Sequence, residues 1–249
     1  MAKQLATRDI KAQYRQSYLG IIWAFITPLT TALVWVFLNM SGTVKLTDTG
    51  IPYPVYAFSG TLLWSIISDS INAPILSTTA AKGILSKINF PKEALLVSGI
   101  YKLLFNSSIK IVLLLVFVGL FGVGYHVSLL LFPLALLGVI LIGTTIGLFI
   151  TPIGMLYKDI GKFITVALSM LMYVTPVVYV LPKAGMMKTL MEINPLTPLI
   201  LTTRDLVVGF PPEYLTYYFW VLGLSIPLFF IGLLFYRISI PILVERMSA

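Results

Sequence analysis

One lysine stands deep inside an apolar run. Lys110 lies between Ile109 and Ile111, with Asn106, Ser107 and Ser108 about a turn before it. A cation at that depth is costly unless it faces water or a partner, or snorkels its head towards an interface. Lys110 is therefore a candidate lining residue of a polar pathway, with snorkelling along a tilted helix as the alternative. Lys102 precedes it by about 12 Å on a regular helix. Beyond this, the residues that do covalent or acid–base chemistry are sparse. His126 is the single histidine and falls in an expected short loop. The acids Asp9, Asp48, Asp69, Glu93, Asp159, Glu192, Asp205, Glu213 and Glu245 are scattered, and of these Asp69 lies near the end of an apolar run. No carboxylate pair sits at helical spacing inside such a run, which argues against an ion-coupled carrier, because carriers keep intramembrane acids for their ion. Cysteine is absent, so thiol chemistry and cysteine-ligated metals are excluded, and no metal site is expected. The Gly161–Lys162 pair is followed by Phe163, so no phosphate-binding loop of the G-x-x-x-x-G-K-[ST] type exists. Hydrolysis of ATP by that route must come from another polypeptide.

The elements that hold these residues are membrane helices. Hydrophobic residues make up 58% of the 249 and charged residues 10%, against about 45–50% and about 25% in soluble domains. The net charge of +8 sits between apolar runs and carries no nucleic-acid-binding motif, so nucleic acid is not an expected partner. A span needs roughly 20 apolar residues. Six runs qualify, over 21–40, 53–72, 100–123, 128–155, 162–181 and 214–236. The fourth holds Pro133 and Pro152 and is expected to kink or to begin outside the bilayer. The run from Ile21 is too long for a cleaved signal and reads as a retained anchor.

The cations set the orientation. With the N-terminus inside, the cytoplasmic segments hold Lys3, Arg8, Lys11, Arg15, Lys82, Lys87, Lys92, Lys158, Lys162, Arg237 and Arg246, while the outer loops hold Lys45, Lys183, Lys188 and Arg204. Both termini are expected to be cytoplasmic. Residues 1–20 form an amphipathic segment. Ala6, Ile10, Tyr14 and Tyr18 share one face, and Arg8, Lys11 and Arg15 another. This suits a helix lying among inner-leaflet headgroups, or a plain topology anchor.

Two connections are long. The cytoplasmic loop 75–93 carries Ile84, Leu85, Ile88 and Phe90 between Lys82, Lys87 and Lys92, with Pro91 near its end. Such a helix suits a partner's groove, or a lipid surface. The outer loop 182–213 holds a moderately apolar stretch interrupted by Arg204–Asp205. It fits a re-entrant or surface-lying helical pair, or an ordinary loop. The expected fold is thus an all-α integral membrane protein with six transmembrane helices, an N-terminal interface helix and re-entrant helices between spans five and six.

Four segments, taken in order, resemble the permease subunits of ABC-type polysaccharide exporters, which move O-antigen, capsular polysaccharide and teichoic acid. They are Arg8-Asp9-Ile10-Lys11 with Tyr14 to Gly20 and Trp23-Ala24 through Pro28; Asn89-Phe90-Pro91-Lys92-Glu93; Tyr157-Lys158-Asp159; and Asn194-Pro195-Leu196-Thr197. The resemblance spans essentially the whole chain. It implies a homodimeric channel in the bacterial inner membrane, served by two ATPase subunits that bind ATP and Mg²⁺, with no cofactor in this chain. It implies that Lys82, Leu85, Lys87, Ile88, Phe90, Pro91 and Lys92 belong to a coupling helix that meets the ATPase. Arg8, Lys11, Tyr14, Arg15 and Tyr18 would lie at the inner interface, among membrane lipids and near the entry of a lipid-linked polysaccharide. Asn194, Pro195, Thr197, Arg204 and Asp205 would belong to periplasmic gate helices. Sugar faces stack on rings, which makes Trp23, Phe25, Trp35 and Tyr56 candidates for the channel lining beside Lys110. O-antigen is the preferred cargo over capsule or teichoic acid. A drug-exporting permease shares the six-span plan but not the four segments. An ATP-independent channel or secondary carrier, and a membrane glycosyltransferase, lack the intramembrane or converging acids they require.

Overall fold

A computed structural model describes residues 2–15, 22–42, 49–85, 90–157 and 159–248. The described residues are helical or irregular, without strands. Helix α1 covers Ala2–Arg15, α2 Trp23–Met40, α3 Tyr53–Ala80, α4 Lys82–Leu85, α5 Glu93–Leu120, α6 Phe132–Leu156, α7 Asp159–Tyr173, α8 Met186–Ile193, α9 Leu196–Val208 and α10 Leu215–Ser248. The segments Glu93–Leu120, Phe132–Leu156 and Leu215–Glu245 are each long and apolar enough to cross a membrane, and Leu29–Met40 is a shorter apolar stretch of α2.

Helix ends depart from the expected spans where local chemistry intervenes. The helix over the second expected span continues to Ala80, and α4 follows at once, so the first part of the expected loop 75–93 is helical. Helix α6 begins at Phe132, with Pro133 in its first turn where a missing N–H costs nothing, and a 3₁₀ turn over Val127–Leu130 precedes it. The largest departure is in the fifth expected span. Helix α7 stops at Tyr173, and residues 174–181 run on as irregular chain. Pro176 has no N–H to continue the helix and disfavours helical geometry at Thr175. A span assigned from hydropathy alone cannot register this break.

Helix α3 is the axis of the bundle and packs on α2, α5, α6 and α9. Its approach to α6 is close because α6 presents glycine. A Cβ at Gly143 would stand 2.5 Å from Ser70 Cβ, and one at Gly147 would collide with the carbonyl oxygen of Ile71 and stand 3.0 Å from Pro74 Cγ. The Gly143-x-x-x-Gly147 spacing puts both on one face, the small-residue pattern of membrane helix pairs. Helix α10 crosses α6 in the same way: Gly138 leaves room for Tyr218, whose hydroxyl donates to Ala135 O at 2.6 Å.

The bundle has two ends. At the proximal end α3 finishes, α5 begins and α1 packs on α5. A separate apolar cluster there joins Leu85, Phe90, Leu95 and Leu96 to Met155, Tyr236 and Ile240. At the distal end lie α8, α9 and the start of α3.

Candidate functional site

The break after α7 leaves backbone carbonyls without helical partners, and where they are buried these must find donors. Side chains at the distal end supply them. Asn194 Nδ2 donates to Val174 O at 3.1 Å and to Thr175 Oγ1 at 2.9 Å, while its Oδ1 accepts from Leu196 N at the start of α9. Tyr53 donates to Val178 O and Tyr56 to Tyr179 O, at 2.9 and 3.1 Å. Arg204 donates from Nη1 to Pro176 O at 3.2 Å and from Nη2 to Val177 O. Its guanidinium lies 3.9 Å over the Tyr56 ring. Arg204 is 2% exposed, and its Nε–H finds no acceptor in the described chain. Gly60 is the floor of this arrangement: a Cβ there would collide with Val177 O and Arg204 Nη2.

Asn194 and Arg204, singled out from sequence, therefore hold the same irregular segment as Tyr56, a ring the sequence offered for the channel lining. Pro195 opens α9. Thr197 is buried, and its hydroxyl, like those of Thr202 and Thr203, has no partner among the described residues. Asp205 lies beside Arg204 on the wall of a 560 Å³ cavity. Burial pushes its carboxyl up to about 7; neighbouring Arg204 pulls it down and Glu213 raises it further.

A second polar site lies at mid-depth. Lys110 Nζ is 2.6 Å from Asp69 Oδ2 and 2.9 Å from Ser65 Oγ. The lysine side chain is 8% exposed, so it does not snorkel, and Asp69 is 47% exposed. Asp69 stands about 24 Å along α3 from Tyr53 and about 17 Å from Ala80, near the middle of that helix. Asp69 opens into a 620 Å³ cavity shared with Asn72, Lys102 and Asn106 and reaching Asp9 of α1. Sequence spacing gave no sign of this pair, because the partners are on different helices.

At the proximal end, Leu85 and Phe90, expected to be exposed for docking, are instead 4% and 8% exposed within the apolar cluster. Their burial fixes the segment to the bundle. Tyr236 shares a hydrogen bond with Thr78 at 2.9 Å and donates to Lys92 O at 3.4 Å, and Arg237 pairs with Glu93 at 3.2 Å. Lys82 and Pro91 remain exposed, and Lys92 is partly so. Lys87 and Ile88 lie outside the described residues. In α1, Ala6 is buried while Arg8 and Lys11 are exposed, and Arg8 holds Asp9 at 2.8 Å. Tyr14 and Arg15 continue the helix; their side chains, that of Phe25, and the whole of Tyr18 lie outside the described residues. Trp23 is exposed, and Trp35 meets Tyr179 edge-on at 6.5 Å between ring centroids.

The chain is similar to known permeases along most of its length. A relative from Myxococcus xanthus, an "O-antigen export system permease protein RfbA", is 27% identical over 70% of this chain and 66% of its own. Two proteins of the same name from Klebsiella pneumoniae are 23% and 22% identical, each over 82% of this chain and 79% of their own. The match thus spans about two thirds of the first relative's length and about four fifths of the others'. Residues 2–208 match the model of the ABC-2 type transporter membrane family. With that match over most of its length and its apolar helices, this multi-pass membrane protein belongs to the ABC-2 type transporter family as a permease, a transport subunit and not itself a catalyst.

Proposed function

We propose that this chain is the channel subunit of an ATP-driven exporter that carries a lipid-linked polysaccharide, O-antigen of lipopolysaccharide foremost, across the bacterial inner membrane. The observation that carries transport is Asp69. A half-exposed carboxylate near the middle of α3 cannot face lipid at tolerable cost, so its face borders water or polar cargo, with Lys110 paired behind it at 2.6 Å. The cavity from Asp69 through Asn72 and Lys102 towards α1 gives that face a route from the proximal end. The relatives' names supply the cargo class.

The proximal end is the cytoplasmic one, with both termini inside and α1 among inner-leaflet headgroups. Two copies form the channel, and two ATPase subunits dock at the segment 82–92, where Lys82, Lys87 and Lys92 face the partner. Leu85 and Phe90 transmit motion into α10 through the cluster around Tyr236. Helices α8 and α9 form the outer gate. Co-expression with the ATPase encoded beside this chain is expected to yield a two-plus-two complex that hydrolyses ATP, and deletion to strip a surface glycan. Charge reversal at Lys87 and Lys92 is expected to weaken that association with insertion intact; unchanged association in detergent overturns the docking assignment. A tag on either terminus accessible from outside breaks the six-span topology.

A second reading, an ATP-independent carrier, is favoured by the Lys110–Asp69 pair, since a mid-depth ion pair is what a proton-coupled site requires. Transport that persists with a hydrolysis-dead ATPase would select it.

A further inference from the structure

The cavity at the distal end has a composition that fits neither a cation nor an anion. Its 560 Å³ lies within the range of small-molecule sites, about 300–1,000 Å³. Its wall includes Tyr56, Arg204, Asp205, Phe210, Glu213 and Tyr214. Among the described residues no group of acids is close enough to hold a metal ion. An anion would meet Asp205 and Glu213, while the charge of Arg204 is already covered by two carbonyls and a tyrosine face. The wall also holds Lys183, and Lys188 there pairs with Glu192 at 3.6 Å. The wall therefore offers acceptors and donors of no dominant charge beside two aromatic rings at its mouth. Arg204 stands nearly fully buried at this wall, held there by its carbonyl and ring contacts, and its Nε–H has no acceptor among the described residues. A guanidinium has five N–H donors, and leaving one of them without a partner in a buried position is costly.

We propose that this cavity is a saccharide subsite that takes one neutral pyranose unit of the exported glycan as it leaves the membrane. The proposal rests on the polysaccharide-export function above and adds a place where the cargo is held. Pyranose hydroxyls donate to carboxylate oxygens and accept from N–H and O–H groups, and the apolar C–H face of the ring lies against an aromatic side chain. Asp205 and Glu213 are the acceptors, Lys183 on the same wall is a donor, and Tyr214 and Phe210 are the stacking rings. No bond is made or broken there.

The full chain in phospholipid nanodiscs, free of sugar-headed detergent, would be titrated with the methyl glycosides of glucose, galactose, mannose, rhamnose and N-acetylglucosamine, read by saturation-transfer-difference NMR. At least one glycoside is expected to bind saturably, and Glu213→Gln and Phe210→Ala, both at exposed positions, are each expected to weaken it at least ten-fold without moving the melting temperature. Binding by none of the five, or binding indifferent to both substitutions, overturns the subsite. Competition by inorganic phosphate or calcium would make the cavity an ion site and overturn it as well. If no glycoside binds while deletion of the chain still removes a surface glycan, the subsite falls and the export function stands. If deletion leaves the surface glycans unchanged, the export function falls and takes the subsite with it.

Discussion

Lys110 and Arg204 are both cations closed off from solvent, and the chain treats them differently. Lys110 is neutralised by a carboxylate on the neighbouring helix, at a depth where the only other recourse is water. Arg204 has no carboxylate ion pair among the described residues; it is held by carbonyl oxygens of a broken helix and by a tyrosine face. The first is a point charge on a flexible stem meeting a point charge. The second uses a planar fork that matches two successive carbonyls and a ring at once. The difference teaches that the Lys110 pair ties two helices together and leaves a carboxylate half open on one face, whereas the distal arginine holds an irregular segment in shape.

The sharpest test of that contrast is Arg204→Ala. It strands Pro176 O and Val177 O, each costing about 1–3 kcal/mol when buried without a donor, and is expected to give the largest loss of thermal stability. Arg204→Lys should fail to restore it, because an ammonium does not reproduce the fork. A lysine variant that melts with the parent protein would show that charge alone suffices there.

Asp69→Leu should cost less. Breaking a buried pair costs about 3–5 kcal/mol, but Asp69 is half exposed and water screens part of that loss. The double variant Asp69→Leu with Lys110→Met is expected to recover most of the melting temperature and none of the transport. Recovered transport would reduce the pair to a structural device and erase the contrast with Arg204.

The smallest effect expected is that of pH on the distal end. Asp205 titrates near 7 in the fold against 3.8 when free, so the fold binds its proton more tightly than the unfolded chain does. Its stabilising contribution is complete below about pH 4 and is lost as pH rises towards 7. Asp205→Asn is expected to flatten the melting temperature over that window, and an unchanged slope would assign the pH dependence to other groups.

The membrane class and the placing of Asn194 and Arg204–Asp205 in one segment were legible in the chain, since each depends on composition or on local order. The Gly143-x-x-x-Gly147 face was also written there and is a signal that hydropathy passes over. Leu85 and Phe90 show the limit in the other direction. Apolar residues between lysines suit a docking face and a buried brace equally well, and the choice depends on Tyr236 and Ile240, far along the chain.

By itself the sequence determined that the chain lives in lipid, because 58% hydrophobic residues in long runs leave no other solvent. It did not by itself say where helices end: Pro74, Pro152, Pro227 and Pro241 stand inside helices, whereas α7 stops just before Pro176. Tertiary structure alone decided that Asp69 meets Lys110 and that the carbonyls freed at Pro176 and Val177 are answered by Arg204. Those partners belong to separate elements, and distances between elements are set by packing, with glycine faces deciding how near two backbones come, rather than by any spacing along the chain.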